Sequence, residues 1–160
     1  MSTYIEIADW ATLQETAAQV RMTVFVKEQG IPAEEEWDFD DVTALHAVLF
    51  DTSGQALGTA RLLQPEAGIA KIGRMAVLRE HRGQGFGQRL LQALIRMARH
   101  RDDHQVLLSA QRSAEGFYAQ YGFETVGEPY DEVGMPHVAM CLRLMNTHEA
   151  HGTMPATPLS

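Results

Sequence analysis

Three glycines alternate with other residues in a short stretch between two apolar segments of the sequence. The stretch reads Arg82-Gly83-Gln84-Gly85-Phe86-Gly87. Glycine lets a backbone approach a ligand closely, and a helix that begins there adds N–H donors and partial positive charge. The pattern predicts a cradle for a phosphate-like anion, with a turn that only permits tight packing as the alternative explanation.

Two other phosphate-binding motifs do not fit this stretch. A Walker loop is excluded because no Lys-Ser or Lys-Thr pair follows the last glycine. A Rossmann fingerprint fits poorly, since it needs an early βαβ unit and an acidic residue about 20 positions later. At that distance Arg101 and Asp102 close the predicted helix.

Charged residues are distributed unevenly around the glycine stretch. Residues 28–41, called the acidic segment below, carry no Lys or Arg and seven carboxylates, which are those of Glu28, Glu34, Glu35, Glu36, Asp38, Asp40 and Asp41. Residues 71–101 hold 8 of the 13 basic residues against one acid, Glu80. This basic strip favours a bound anion near Arg79 and Arg82. The acidic segment either faces a cationic substrate or is a solvated loop.

Apolar periodicity predicts the elements that position these residues. Strands are expected at residues 4–8, 44–50, 56–63, 69–78, 106–109, 123–126 and 137–144. Helices are expected at about residues 10–27 after the N-cap Asp9, at 85–100, and at 114–121 between Ser113 as cap and Gly122 as terminator. This order predicts an α+β (mixed α/β) fold in one domain, residues 1–145, followed by a flexible tail at 146–160.

Composition excludes several classes of partner. The chain has 160 residues and a formal net charge of −8, the wrong sign for a broad nucleic-acid interface. No apolar run reaches the roughly 18–20 residues that cross a bilayer, so no membrane partner is expected. Cys141 is the only cysteine, and the first residues lack the pattern of an export signal, which favours the cytoplasm. Cys141 lies in an apolar run and is expected in the core rather than as a nucleophile.

Two motifs in order resemble the GNAT superfamily of acyl-CoA-dependent N-acetyltransferases. The first is Arg82-x-x-Gly85-x-Gly87, and the second is Phe117-Tyr118-x-x-Tyr121-Gly122-Phe123. The resemblance spans about residues 4–144. The acidic segment, together with Arg21, Val24, Phe25, Glu28 and Gln29, further resembles a small bacterial branch of predicted acetyltransferases.

The resemblance implies a fold and a reaction. The fold would be a central, mostly antiparallel, splayed mixed sheet flanked by helices. The reaction would move an acetyl group from acetyl-CoA to a primary amine of a small molecule or peptide by direct attack, without a metal. Relatives commonly dimerise, so a homodimer is expected.

The resemblance also implies roles for particular residues. The coenzyme pyrophosphate would lie on the backbone amides of Arg82, Gly83, Gln84, Gly85, Phe86 and Gly87. The backbone of Met75, Ala76 and Val77 would hold the pantetheine arm and the thioester carbonyl. Tyr118 would protonate the departing thiolate, because a phenol with a pKa of about 10 still carries its proton at neutral pH. Gln111 stands where many members carry Asn and would offer its amide to the pantetheine.

The residues that receive the acceptor amine are less defined. His137 and His46 could each take its proton or be hydrogen-bonded structural imidazoles, and we expect His137 as the base. Alternatively, Glu28, Glu35 and Glu36 could accept the proton through water or only attract a cationic substrate. We assign the acceptor side to Phe25, Glu28, Glu36 and His46. Two further functions stay open: a non-catalytic acyl-CoA-binding or regulatory domain, and an enzyme like the acyl-homoserine-lactone synthases, which the arrangement of Arg21, Phe25, Glu36, Asp38 and Asp41 resembles.

Overall fold

The computed structural model describes residues 2–132 and 134–144, which pack as two compact units. The first unit contains the described residues up to Leu63 together with Ile72–Leu94. The second contains Gln64–Lys71 and the described residues from Ile95 onward. The expected tail at 146–160 lies outside the described residues, and the single domain at 1–145 stays a prediction.

Four strands, most of whose residues belong to the first unit, follow one another in the sheet in the order β1-β2-β3-β4. They are β1 (Thr3–Asp9), β2 (Leu45–Asp51), β3 (Ala56–Glu66) and β4 (Ile69–Val77). The pairs β1–β2 and β2–β3 are antiparallel. The β2–β3 turn is held by the Asp51 carboxylate, which accepts hydrogen bonds from the backbone N–H groups of Ser53 and Gln55 at 2.9 and 3.0 Å.

Helix α1 (Trp10–Arg21) begins where the sequence predicts, because Asp9 caps it by accepting from the Thr12 N–H at 3.0 Å. Leu13, Ala17 and Val20 bury the predicted apolar face. The chain then continues as a π-helical segment, Met22–Glu28, where the sequence predicts ordinary helix. Two short helices follow in the acidic segment, α2 (Ala33–Glu36) and α3 (Asp40–Thr43).

Helix α4 (Phe86–His100) follows the glycine stretch, and its later residues belong to the second unit. The strands β5 (Gln105–Gln111), β6 (Glu124–Glu132) and β7 (Met135–Arg143) pair antiparallel in the order β5-β7-β6. Helix α5 (Glu115–Ala119) lies between β5 and β6 in the chain. Seven strands and their helices in this order confirm the predicted α+β class.

Two local predictions were wrong. Ser113 does not cap α5, because it lies inside a 3₁₀ turn, Arg112–Ala114, that precedes the helix. Strand β6 extends to Glu132 rather than ending near Val126, since a register shift between Val126 and Tyr130 absorbs the intervening Gly and Pro. No helix among residues 2–132 and 134–144 has the length and apolarity needed to span a bilayer.

Candidate functional site

The glycine stretch forms an open cradle at the start of α4. Gly83 and Gly85 have φ angles of +81° and +82°, a region that costs little only for glycine. A Cβ atom added at either position would meet no other atom within 4 Å. The backbone therefore borders open space at the N-terminus of a long helix. Amide donors and a helix end in such a place suit a phosphate-like anion.

The side chain of Arg82 connects this cradle to β4 and to the π-helical segment through hydrogen bonds. Its two terminal nitrogens donate to the carboxylate oxygens of Glu28, each at 2.7 Å, and its Nε donates to the Val77 carbonyl at 2.9 Å. Arg79 lies 3.6 Å from the same carboxylate. The hydrogen bond from Arg82 holds the pKa of Glu28 below its usual range. The charge pattern of the sequence favoured a bound anion near Arg82. In the structure, the Arg82 guanidinium binds the carboxylate of Glu28.

Close packing surrounds the strand that precedes the cradle. Ala76 is buried, and its carbonyl would lie 3.1 Å from a Cβ atom placed on Gly58 of β3. The Leu90 side chain of α4 would be 3.0 Å from that same atom. Glycine at position 58 therefore allows β3, β4 and α4 to approach closely. The backbone at residues 75–77 lies in a confined setting.

Arg74, directly before this segment, has a φ of +50°. Such a conformation costs roughly 1–2 kcal/mol for a residue other than glycine, and the surroundings must hold it. The Arg74 guanidinium lies 3.1 Å from the Asp38 carboxylate and 3.4 Å from that of Glu36. The acidic segment thus anchors the strained residue of β4.

The same acids belong to a largely buried network of ion pairs. Arg21 is 1% exposed and binds the Glu36 carboxylate at 2.6 Å and both Asp41 oxygens at 2.9 and 3.1 Å. Arg61 lies 2.7 Å from Asp38 and 3.0 Å from Asp41. With Arg74, the network combines three arginines and three carboxylates, so its formal charge is zero. These carboxylates do not form a solvated acidic patch.

The electrostatics of the network follow from burial and pairing. Burial opposes ionisation of Asp41, but the hydrogen bonds and charges of Arg21 and Arg61 outweigh it and lower the pKa of Asp41. Burial raises the pKa of Glu36 despite its contact with Arg21. The guanidinium carbon of Arg21 lies 5.5 Å from the Trp10 ring and 5.0 Å from the Trp37 ring, within cation–π range.

Three of the four residues assigned to the acceptor side are buried or packed against the core of the first unit. Glu36 is 2% exposed, and Phe25 packs against the core. The His46 Nε2 donates to the Asp41 carbonyl at 2.9 Å, and burial lowers the pKa of this imidazole. The remaining residue of the four, Glu28, lies beside the cradle, where its carboxylate accepts hydrogen bonds from Arg82. Contact of these residues with a substrate stays a prediction.

In the second unit, the Tyr118 side chain of α5 packs among aromatic rings. Its ring centroid is 5.1 Å from that of Phe117 and 5.9 Å from that of Phe123. Burial raises the pKa of the phenol, so Tyr118 carries its proton at neutral pH. Tyr118 therefore has a proton that it can donate to a strongly basic leaving group.

His137 is 6% exposed and is the third residue of β7, which begins two residues earlier than the sequence predicts. Its Nδ1 lies 2.9 Å from the Met135 carbonyl, and its Nε2 lies 3.9 Å from the Glu132 carboxylate. The Tyr130 ring stacks on the imidazole with centroids 6.3 Å apart. In the strand register, Gln111 of β5 is the direct neighbour of His137.

Sequence reasoning missed three residues around His137: Ser109, Tyr130 and Glu132. The signal for the last two was their i, i+2 spacing, which places both on one face once residues 127–132 are recognised as strand. Gly127 and Pro129 concealed that strand. The described ranges hold no cluster of three metal-ligating side chains. Cys141 is partly buried, and its thiol donates to Gln105 at 3.3 Å.

Comparisons with known proteins give a consistent result. The model of the GNAT acetyltransferase domain matches residues 12–144. The chain is 35% identical over 125 residues to "Uncharacterized N-acetyltransferase YjcF" of Bacillus subtilis, covering 78% of this chain and 88% of the relative. It is 34% identical over 126 residues to "Protein ElaA" of Escherichia coli, covering 76% of this chain and 82% of the relative.

The structure superimposes on a solved acyl-CoA N-acyltransferase from Pseudomonas aeruginosa with a TM-score of 0.80 and 33% identity. The match covers 88% of this chain and 99% of the other. The fold predicted from the two sequence motifs is thereby confirmed.

Proposed function

This chain belongs to the GNAT acetyltransferase family, and from that premise we propose that it transfers an acetyl group from acetyl-CoA to a primary amine by direct attack in a ternary complex. The observation that carries the proposal is the cradle, where two glycines with positive φ border open space at the start of α4. Backbone amides that border this open space at the start of a helix fit the pyrophosphate of an acyl-CoA donor.

Three parts of the chain would hold the donor. The amides of residues 83–87 bind the pyrophosphate, whereas the Arg82 N–H already donates to the Arg79 carbonyl at 3.3 Å. The backbone of Met75, Ala76 and Val77 binds the pantetheine arm and the thioester carbonyl. The Gln111 amide adds a further contact to the pantetheine. The clamp of Arg82 on Val77 supports this assignment, because it ties the cradle to the end of β4.

The chemistry requires three events at the reacting atoms. The amine nitrogen forms a bond to the acetyl carbon, and a backbone N–H of residues 75–77 stabilises the oxyanion that develops. The carbon–sulfur bond then breaks, and Tyr118 gives its proton to the departing sulfur. The proton lost by the attacking nitrogen restores Tyr118 through solvent. One acetamide and one thiol result.

The attacking amine must first lose the proton of its ammonium form. His137 is the proposed base, since its imidazole lies in the second unit with Tyr118 and Gln111. The acceptor is an amine-bearing small molecule or peptide, and the place of action is the cytoplasm. A homodimer remains the expected assembly, which sedimentation of the purified protein would test.

Thiol release tests the proposal directly. The purified chain is supplied with acetyl-CoA and a panel of primary amines, and free CoA thiol is measured, while calorimetry records the binding of CoA. We expect CoA binding, and thiol release that depends on one class of amine. Binding without release on any amine would favour the acyl-CoA-binding module. Absence of binding would contradict the role of the cradle.

A pair of tyrosine variants tests the proposed acid. Tyr118→Phe removes the phenolic proton, and we expect kcat to fall about 100-fold, the lower range for loss of a general acid, with unchanged CoA affinity. Tyr121→Phe is the matched control, because Tyr121 packs on the same Phe117 ring at 5.4 Å. Equal activity of the two variants would show that Tyr118 is not the acid.

A further inference from the structure

Four polar side chains share one face of the sheet in the second unit: Ser109 of β5, Tyr130 and Glu132 of β6, and His137 of β7. We call them the β6–β7 polar cluster. Tyr130 is the direct neighbour of His137 in the strand register, and Glu132 is two residues further along β6. Ser109 contacts both Tyr130 and Glu132 through its hydroxyl oxygen. The cluster therefore bridges three strands.

The direction of each hydrogen bond follows from the chemistry of the groups. A carboxylate only accepts, so the Ser109 hydroxyl donates to Glu132 Oε1 at 3.1 Å. The Ser109 oxygen then accepts the proton of the Tyr130 hydroxyl. A carbonyl also only accepts, so Nδ1 of His137 donates to Met135 at 2.9 Å. The neutral imidazole therefore carries its lone pair on Nε2.

Two hydrogen-bond acceptors face each other as a result. The Nε2 lone pair of His137 and the Oε2 oxygen of Glu132 are 3.9 Å apart, too far for a direct hydrogen bond. A single nitrogen donor placed beside both atoms would reach each at an ordinary distance of about 2.9 Å. The Glu132 side chain is 46% exposed, so this position is accessible. A ligand nitrogen with at least two N–H groups could donate to both acceptors at once.

We propose that the β6–β7 polar cluster is the binding site for the ammonium group of the acceptor, with Glu132 and Tyr130 as its specificity-determining residues. A primary ammonium has three N–H donors and a positive charge. Glu132 Oε2, His137 Nε2 and the oxygen of Tyr130, whose proton is committed to Ser109, are acceptors for it. The pairing of a cation with Glu132 makes these hydrogen bonds charge-assisted and therefore stronger.

The charge of the surrounding strand supports a cationic ligand. Strand β6 carries Glu124, Glu128, Asp131 and Glu132 and no Lys, Arg or His. A cation is attracted to such a strand, whereas an anionic ligand would be repelled. The acceptor class indicated by the cluster is thus an amine that is protonated at neutral pH, such as an alkylamine or a lysine side chain, rather than an aromatic amine.

The inference rests on the proposed function, since it names the acceptor for the same reaction. Gln111, proposed to contact the pantetheine, is the cross-strand neighbour of His137. Neighbours of this kind have Cβ atoms about 4.5–5.5 Å apart. In the proton step, one ammonium N–H bond breaks and its proton moves to His137 Nε2. The amine keeps the electron pair, and Glu132 stabilises the imidazolium that forms.

Steady-state kinetics of Glu132→Gln tests the site. The substitution keeps the shape of the side chain but replaces Oε2 or Oε1 by an NH₂ donor. The probes are benzylamine, putrescine and Nα-acetyl-lysine methyl ester. We expect KM for the amine to rise at least 10-fold, the change in affinity expected for the loss of one charge-assisted hydrogen bond. KM for acetyl-CoA should stay within twofold. Tyr130→Phe should raise KM for the amine by a smaller factor.

Glu128→Gln is the matched control, because Glu128 is exposed on the same strand and lies outside the cluster. It makes the same change in net charge, and we expect its kinetics to equal those of the wild type. Equal effects of the two substitutions would attribute the result to general charge and overturn the site. An unchanged KM for the amine in Glu132→Gln would overturn it as well.

Nuclear magnetic resonance of the histidine side chains separates the site from the reaction. We expect the His137 imidazole to carry its proton on Nδ1, and benzylammonium to shift the Nε2 signal in the wild type but not in Glu132→Gln. A proton on Nε2 in the free protein would overturn the inference. A ligand-induced shift without acetyl transfer would retain the site and contradict the proposed function. Acetyl transfer without a ligand-induced shift of the Nε2 signal would support the proposed function and overturn the ammonium site.

Discussion

Gly85 and Gly54 have similar positive φ angles in two turns of different character. Their φ angles are +82° and +88°, and a Cβ atom on either would meet nothing within 4 Å. Gly85 belongs to the cradle, whereas Gly54 lies in the β2–β3 turn. Substitution by alanine should strain both turns alike, by roughly 1–2 kcal/mol, but only one change affects the proposed donor site.

We therefore predict that Gly85→Ala and Gly54→Ala lower the midpoint of thermal unfolding to a similar degree. Only Gly85→Ala should weaken CoA binding, by about 10-fold or more, because its methyl group enters the space in which the pyrophosphate would lie. Calorimetric titration with CoA measures the difference. Equal CoA affinity in the two variants would mean that the cradle does not bind the donor.

At the scale of whole elements, β4 depends on contacts made by the acidic segment. Arg74 holds a φ of +50°, and its guanidinium contacts Asp38 and Glu36. We predict that Arg74→Ala is less stable than Arg74→Gly by about 1 kcal/mol. Both lose the ion pairs, but only glycine adopts this φ at little cost. Urea unfolding of the two variants measures the difference.

Arg74→Lys serves as the comparison that retains the charge. It should be more stable than Arg74→Ala and less stable than the wild type, because an ammonium cannot bind two carboxylates as a planar guanidinium does. If Arg74→Gly were the least stable of the three, backbone strain at this position would not determine their order of stability.

The sequence predicted those elements whose periodicity is strong. The burial of Leu13, Ala17 and Val20 matches the spacing that predicted α1, and the glycines of the cradle mark a turn that the structure confirms. Periodicity cannot distinguish an α-helix from the π-helical segment at Met22–Glu28, because the two differ by one residue in hydrogen-bond spacing.

The sequence alone could not predict which charged residues form ion pairs. The acidic segment reads as a solvated or substrate-facing patch because its partners, Arg21, Arg61 and Arg74, lie 15–38 positions away. Only the folded chain brings them together. The same limit hid the polar cluster around His137, whose four members come from three strands.

Over the whole molecule, the pH dependence of stability should contain a contribution from one buried histidine. Burial lowers the pKa of His46 below its unfolded value of about 6.5. The unfolded chain therefore binds this proton at a higher pH than the folded chain. The stability that neutral His46 provides is fully present above about pH 6.5 and is lost as pH falls toward the folded pKa.

Thermal unfolding of the wild type and of His46→Gln between pH 7.5 and 5 measures this contribution. Glutamine can still donate to the Asp41 carbonyl but does not titrate, and the other histidines are common to both proteins. We predict that the wild type loses stability more steeply between pH 6.5 and 5. Parallel profiles would show that His46 exchanges no proton with unfolding in this range.

The balanced network of three arginines and three carboxylates also limits how the sequence can diverge. Loss of Arg21, Glu36 or Asp41, each at most 2% exposed, leaves a buried charge without one of its partners. This typically costs about 3–5 kcal/mol, a large fraction of the stability of a domain. An exchange of the whole set for apolar residues, by contrast, can be neutral. Lineages descended from this chain should therefore keep Arg21, Glu36 and Asp41 together or replace them together, and single replacements should be rare and accompanied by a compensating change nearby.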